Sequence, residues 1–520
     1  MIGGHGSTRG FWRGAQRSTG PAREYSHSGS ASMLDDWLYR LWIVALLWAP
    51  LPIGSVDAWA LATLQAMVFG LLAAWCVGCM LGRLEVSKTF RAARWYVLLC
   101  VLWLGYGALY LIPLPLDWIA ALSPRVATLH AETLALQPGA RTLAIDLFAA
   151  QSHWLKSATY MAAFALTLLL VNTRKRVRQL AFTLVFLAFL ISVYGIMMHL
   201  VGGRIDWLGT PMHHGAVAIG TYFNRNHFAG FLEITLALGI GLLIADTVDR
   251  NADSWKKRLR NVLEWIFSPK FRLRLMLCVL VIALVSTRSR MGNTAFFASL
   301  LITGIVGLVL SRHAPRGTMI LLTSLIAIDL FIVGSWFGVE KLAQRLEQTT
   351  LAREVGKTPV PALAPGQEES LEQRQDAAVD TLPMIQDHLL LGVGPGGWAG
   401  SFLNYRGPMV AEGIFEHAHN DYAEFLAEYG VIGFVMLALM VLWALAMALR
   451  AQWVRRDPLM RGISFASLMG VLSILIHSWV DFNLQIPANA LYFMVLLALG
   501  WISLHLDRRG ARAGRSNGAG

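Results

Sequence analysis

The sequence predicts an all-α integral membrane protein of about twelve transmembrane helices, with one large extracytoplasmic loop between the ninth and tenth. Three observations predict it. Hydrophobic residues make up 56% of the 520 positions and charged residues only 15%, against about 25% charged in ordinary globular chains. The apolar residues fall in blocks of about 20, the length an α-helix needs to cross the hydrocarbon core. The basic residues sit in short clusters between those blocks, the pattern of cytoplasmic loops. A soluble enzyme and a disordered chain are thereby excluded. The formal charge of +12 would suit a nucleic-acid binder, but its clustering points to the lipid bilayer as the partner and to no nucleic acid.

Residues 1–33, rich in Gly, Ser and Arg, read as a disordered cytoplasmic tail. They lack the layout of a cleaved signal peptide, since the first apolar block starts late. Residues 34–337 form a first membrane domain, with spans expected near 37–54, 58–81, 95–113, 154–172, 180–201, 217–245, 273–289, 292–310 and 318–337. The block 217–245 is too long for one straight span, so its front end is expected to be irregular and covered by protein. Spans near 430–449, 462–480 and 488–505 make up a second membrane part, 430–505, before a basic cytoplasmic tail at 506–520. Alternating the spans from an inside N-terminus puts 30 of the 44 Lys and Arg on one side, including RKRVR at 174–178 and KKRLR at 256–260. Both termini are therefore expected to be cytoplasmic. Cys76, Cys79, Cys100 and Cys278 all lie inside apolar blocks. The CxxC spacing of the first pair only places both on one helix face, and no zinc or redox site is expected.

Two outer segments are long. One is 114–153, punctuated by Pro115 and Pro124 just after Pro113. The other, 338–429, carries six Lys and Arg against fourteen Asp and Glu. Residues 356–368 look flexible, while 340–354 and 368–388 have helical composition. Loops of this length are functional or disordered, and the Trp, Tyr, Phe and Gly in this one argue for function.

The loop ends in Glu416-His417-Ala418-His419-Asn420-Asp421-Tyr422. The i,i+2 histidines do not share a helix face and the HExxH signature is absent, which argues against a metal. Two readings stay open: a polar helix start capped by Asn420 or Asp421, and a histidine general base able to deprotonate a hydroxyl near neutral pH. Upstream, Leu391-Gly392-Val393-Gly394-Pro395-Gly396-Gly397-Trp398 is either a tight turn that lets backbone pass close to something or a row of N–H groups facing an anion. Arg288 and Arg290 close the seventh span at its outer end, Arg225 stands at the outer entrance of the sixth, and Arg374 lies in the loop. Each could snorkel to lipid phosphate. Together, on the face where basic residues are scarce, they suit an anion, because the guanidinium fork donates two hydrogen bonds to phosphate.

These residues resemble the O-antigen ligase and O-antigen polymerase superfamily of bacterial inner membranes. His419-Asn420, nine residues, Gly430, two residues and Gly433 resemble the ligase signature. Leu391-Gly392-Val393-Gly394, Ser289-Arg290 and Phe223-Asn224-Arg225-Asn226-His227-Phe228-Ala229-Gly230 are also similar to the family. The similarity covers about 215–435; the first 200 residues match only in helix layout. Met291 stands where the family often has Gly after Ser-Arg, His417 adds a second candidate base, and the 33-residue tail is outside the family pattern.

The resemblance implies a GT-C-like glycosyltransferase, multi-pass in the bacterial inner membrane. It would use an undecaprenyl-pyrophosphate-linked glycan as donor and lipid A–core or another glycan as acceptor, at the periplasmic face. It implies neither metal nor other cofactor. His419 would be the catalytic base, Arg290 and Arg374, joined by Arg225, would bind pyrophosphate, and His417, Asn420 and Arg288 could support them. A polymerase of O-antigen or exopolysaccharide is the nearest alternative, followed by a protein glycan transferase. A polysaccharide transporter, from a different class, would need intramembrane charges and an internal repeat. Glu233 and Asp329 are the main buried charges expected, and no repeat is visible.

Overall fold

The structure, a computed structural model, describes residues 24–133, 141–207, 210–213, 217–246, 269–310, 323–324, 371–407 and 415–506. Among these residues the regular structure is helical except for one short hairpin. In chain order the α-helices are α1 (Glu24–Trp48), α2 (Ala58–Met80), α3 (Lys88–Ala92), α4 (Arg94–Leu109), α5 (Leu116–Leu122), α6 (Pro124–Thr133), α7 (Leu147–Leu170) and α8 (Arg174–Leu200). Then come α9 (Arg225–Ala245), α10 (Pro269–Ser286), α11 (Arg290–Leu310), α12 (Leu371–Asp387), α13 (Trp398–Phe402), α14 (Asp421–Val454), α15 (Pro458–His477) and α16 (Pro487–His505). Between α8 and α9, β1 (Arg204–Trp207) and β2 (Thr210–His213) pair antiparallel, with Arg204 opposite His213. The fold class is all-α as expected, with this hairpin as a local addition.

Among the described residues, seven helices are long and apolar enough to cross a membrane: α2, α8, α9, α11, α14, α15 and α16. The expected spans 37–54, 95–113, 154–172 and 273–289 coincide with α1, α4, α7 and α10. The ninth, 318–337, lies outside the described residues apart from 323–324, as do Asp329, the basic run 256–260 and both distal tails. Several limits differ from expectation, among them two helix starts. α1 starts at Glu24, inside the segment read as tail. α7 starts at Leu147, because Asp146 caps it by accepting from the Ala149 N–H at 2.9 Å.

α9 is the centre of the bundle, and its apolar window is wholly buried. It packs most extensively on α15 and also touches α8, α10, α11 and α16. A Cβ on Gly241 would collide with the Gly462 carbonyl, and one on Gly462 with that of Gly241. Small residues thus let these two backbones meet, the usual way membrane helices gain packing energy. The outer helices behave oppositely. Only 22% of the apolar window of α14 is buried, and Leu439, Leu442 and Trp453 point outward from it, as a lipid-facing surface should.

Five helix ends, the starts of α9, α11 and α14 and the ends of α10 and α15, meet at one end of the bundle. Gly292, at the start of α11, lies so close to α9 that a Cβ there would sit 2.6 Å from Ala229 and 3.2 Å from Glu233 Oε1. The Ala218 N–H, before α9, donates to the Ser286 carbonyl that ends α10 (3.0 Å). At the end of α15, Ser478 donates to Asp421, the first residue of α14 (2.6 Å). The basic cluster of α8 lies at the opposite end, where Arg178 pairs with Asp246 at the end of α9 (2.6 Å) and Arg174 with Asp457.

Candidate functional site

The second half of the loop folds around its own small core of Ala377, Met384, Val393, Trp398, Phe402 and Phe415. Trp398 stacks on Phe402 with ring centroids 4.4 Å apart, and its indole N–H donates to Thr381 (3.1 Å). This core carries α12 and the His-Asn segment together.

The glycine run serves a break in α14. Gly430 has φ 62° and ψ −176°, a conformation open essentially to glycine alone. The helix therefore stops and restarts, leaving orphan carbonyls and N–H groups that must be paired in a dry environment. The run supplies them. Val393 and Gly394 N–H groups donate to the carbonyls of Ala427 and Glu428 (2.9 and 3.0 Å). The Val431 N–H donates to the Leu389 carbonyl (2.8 Å), and the Tyr106 hydroxyl donates to the Tyr429 carbonyl (2.6 Å). On the far side the Ile145 N–H donates to the Val393 carbonyl (3.1 Å). Of the two sequence readings, the close backbone approach is the one seen. The N–H groups of Gly396 and Trp398 face the buried carboxyl group of Glu428 within the chain.

His419 has φ 49°, left-handed and strained for a residue with a Cβ. It is 8% exposed. Asn420 is the helix cap, its side chain accepting from the N–H groups of Tyr422 and Ala423 (3.0 and 3.1 Å). His417 Nδ1 lies 2.7 Å from Glu424 Oε1, and the Ala418 N–H donates to Glu424 Oε2 (2.8 Å). Burial disfavours the charged form of His417, but the Glu424 carboxylate outweighs it and the imidazole titrates above its ordinary value.

Arg374, on α12, is buried and pairs with Asp481 Oδ2 at 3.0 Å. His227, near the start of α9, has Nε2 3.5 Å from Asp481 Oδ1. Burial works to raise the Asp481 carboxyl, yet His227 and Arg374 hold it well below the usual carboxylate range. The ring of Phe482 lies between His227, His417 and His419. Arg374, His417 and His419 are thus brought together through Asp481 and Phe482. Arg225 begins α9 and Arg290 begins α11, at the same end of the bundle. Arg288, exposed with φ 53°, occupies the turn between α10 and α11. Asp481 and Phe482 were not singled out in the sequence; a lone Asp-Phe-Asn in a short connector has no periodicity to mark it. Glu233 accepts from Ser473 (2.7 Å) and lies 2.7 Å from His477 Nδ1, both from α15.

Beneath the loop, α4, α7, α14, α15 and α16 enclose a largely apolar cavity of about 310 Å³. Lys156 and His153 line it, with Tyr422, Phe425 and Tyr429.

The fold and site define a multi-pass helical membrane protein with a buried polar centre built at one end of its bundle. Residues 275–438 match the family model described as O-antigen ligase, which supports the resemblance to that superfamily. No curated protein matches the chain. The matched segment includes His419, Arg290 and Arg374; Arg225, Asp481 and Phe482 lie outside it.

Proposed function

We propose that the protein is a metal-independent, inverting glycosyltransferase of the ligase kind. It moves a glycan from undecaprenyl pyrophosphate to an acceptor hydroxyl, on lipid A–core or a similar glycan, at the periplasmic face of the inner membrane. The observation that carries this is His419, held in a left-handed conformation beside the Arg374–Asp481 pair. Strained backbone of this kind clusters at functional sites.

His419 takes the proton of the acceptor hydroxyl. The oxygen bonds to the anomeric carbon as the bond from that carbon to the pyrophosphate oxygen breaks. Undecaprenyl pyrophosphate leaves with the bonding pair, and a single displacement inverts the anomeric centre. Arg374, with Arg290 and Arg225, offsets the charge that grows on the leaving oxygens, a contribution commonly worth about 3 kcal/mol. His417 and Arg288 support the site, and Asn420 sets where the following helix begins. The sidedness follows from charge: the site end of the bundle is opposite the Arg174–Arg178 cluster, and such clusters stay inside.

His419→Ala is expected to abolish transfer while the protein still inserts and folds. Transfer at the wild-type rate by that variant would remove the assignment. Surface polysaccharide from a host lacking the gene identifies the acceptor. Core with no attached repeat means a ligase, and core with a single repeat means a polymerase.

A further inference from the structure

The connector between α15 and α16 enters the site through two consecutive residues. Asp481 grips Arg374. Phe482 touches three imidazoles. The His417 ring stacks on it, with centroids 4.3 Å apart and planes 27° apart. His419 meets it at 4.9 Å and 70°, and His227 at 4.6 Å and 69°. We propose that Phe482 is the positioning residue of the transfer site, the flat surface that fixes His419 and His417 relative to Arg374. The proposal rests on the reading of His419 as the base.

Three arguments support it. A residue strained into left-handed backbone persists only where its surroundings over-determine it. The neighbours of His419 in the chain are pinned through Glu424 and the Asn420 cap, and Phe482 meets its ring edge-on. Secondly, Phe482 is itself fixed to the elements it orients. Its N–H donates to Asp481 Oδ1 (2.8 Å), and the Leu484 N–H donates to Asp421 Oδ2 (3.1 Å) at the start of α14. The ring therefore stays with both the arginine's carboxylate and the histidine segment. Thirdly, the contacts need an aromatic. A stacked imidazolium is attracted by the π face, and edge-on rings by the same quadrupole. An aliphatic side chain of similar bulk supplies neither preference.

The test uses the full chain in lipid nanodiscs, with diethyl pyrocarbonate as probe and modification of each histidine followed by mass spectrometry. Phe482→Leu keeps apolar bulk and removes the ring. His417 and His419 should then react severalfold faster, while His388, buried in the loop beside Tyr405, should not change. Phe482→Tyr should keep the wild-type rates. Unchanged rates at His417 and His419 in Phe482→Leu would overturn the proposal. So would an equal rise at His388, which reports a general loosening. In a transfer assay Phe482→Leu should lower kcat by tens of fold, given that a displacement of about 1 Å can cost ~100-fold, with KM unchanged. Phe482→Tyr should restore it, and an undiminished kcat in Phe482→Leu also overturns the role. The labelling needs no turnover, so it stands apart from the His419→Ala result. Transfer by that variant would end the catalytic reading, whatever the labelling shows.

Discussion

His417 and His419 stand two residues apart yet have different surroundings. His417 faces Glu424 at 2.7 Å, while His419 meets the ring of Phe482 edge-on at 4.9 Å. The pair His417–Glu424 gives the site a stated pH dependence. The folded-state pKa of His417 is raised above 6.5. Its protonation therefore contributes stability that is fully present below about pH 6.5 and is lost as the pH rises through the raised value. Melting temperatures of wild type and Glu424→Gln should differ most on the acid side of neutrality and converge as the pH rises. A gap that widened with pH would refute the charged pair. At this scale the sequence was partly legible. The His-Asn motif marked His419, and the reading of Asn420 as a helix cap is the one the structure shows. Asp481 was not legible, because its partners Arg374 and His227 are 107 and 254 positions away in the chain.

Among elements, the broken α14 is the most informative. A uniform apolar block from 430 onward predicted a span beginning there, and a helix does begin there, but another ends there as well. The sequence could show a glycine at the junction, not the strand of backbone that mates with it. Gly430→Ala would place a Cβ against the Leu390 carbonyl in a backbone region barred to it. It should cost about 3 kcal/mol or more and be visible as a sharp fall in thermal stability. Gly105→Ala, on α4 with nothing within 4 Å of the new Cβ, should be neutral or stabilising by up to about 1 kcal/mol. Equal effects of the two would contradict the role given to the break. The apolar helices were read easily because hydropathy acts over whole blocks. The hairpin at 204–213 was not, since two strands of four residues leave almost no period-two signal.

For the whole molecule, the distribution of charge and the position of the site agree. The Arg174–Arg178 cluster and the site lie at opposite ends of the same bundle. In a cysteine-free background, Asn404→Cys, exposed on the loop, should react with a membrane-impermeant maleimide added to spheroplasts. Lys175→Cys, exposed at the other end, should react only after permeabilisation. The reverse pattern would invert the orientation and overturn the proposed periplasmic placement of the site. Glu233, which as a lone intramembrane charge would have favoured a transporter, is matched by Ser473 and His477 within the bundle. Its partners come from the late helix α15, so no inspection of the sequence around Glu233 could have paired it.

Ribosomes deliver this chain from its first residue to its last, and the order matters for Asp481 and Phe482. His419, Arg374 and their loop are synthesised before the two residues that hold them. A nascent polypeptide stopped short of Asp481 would carry the histidine and the arginine but leave the guanidinium without its carboxylate and the imidazoles without their ring. The connector between α15 and α16 thus adds the carboxylate and the aromatic ring only after the loop they hold has been made.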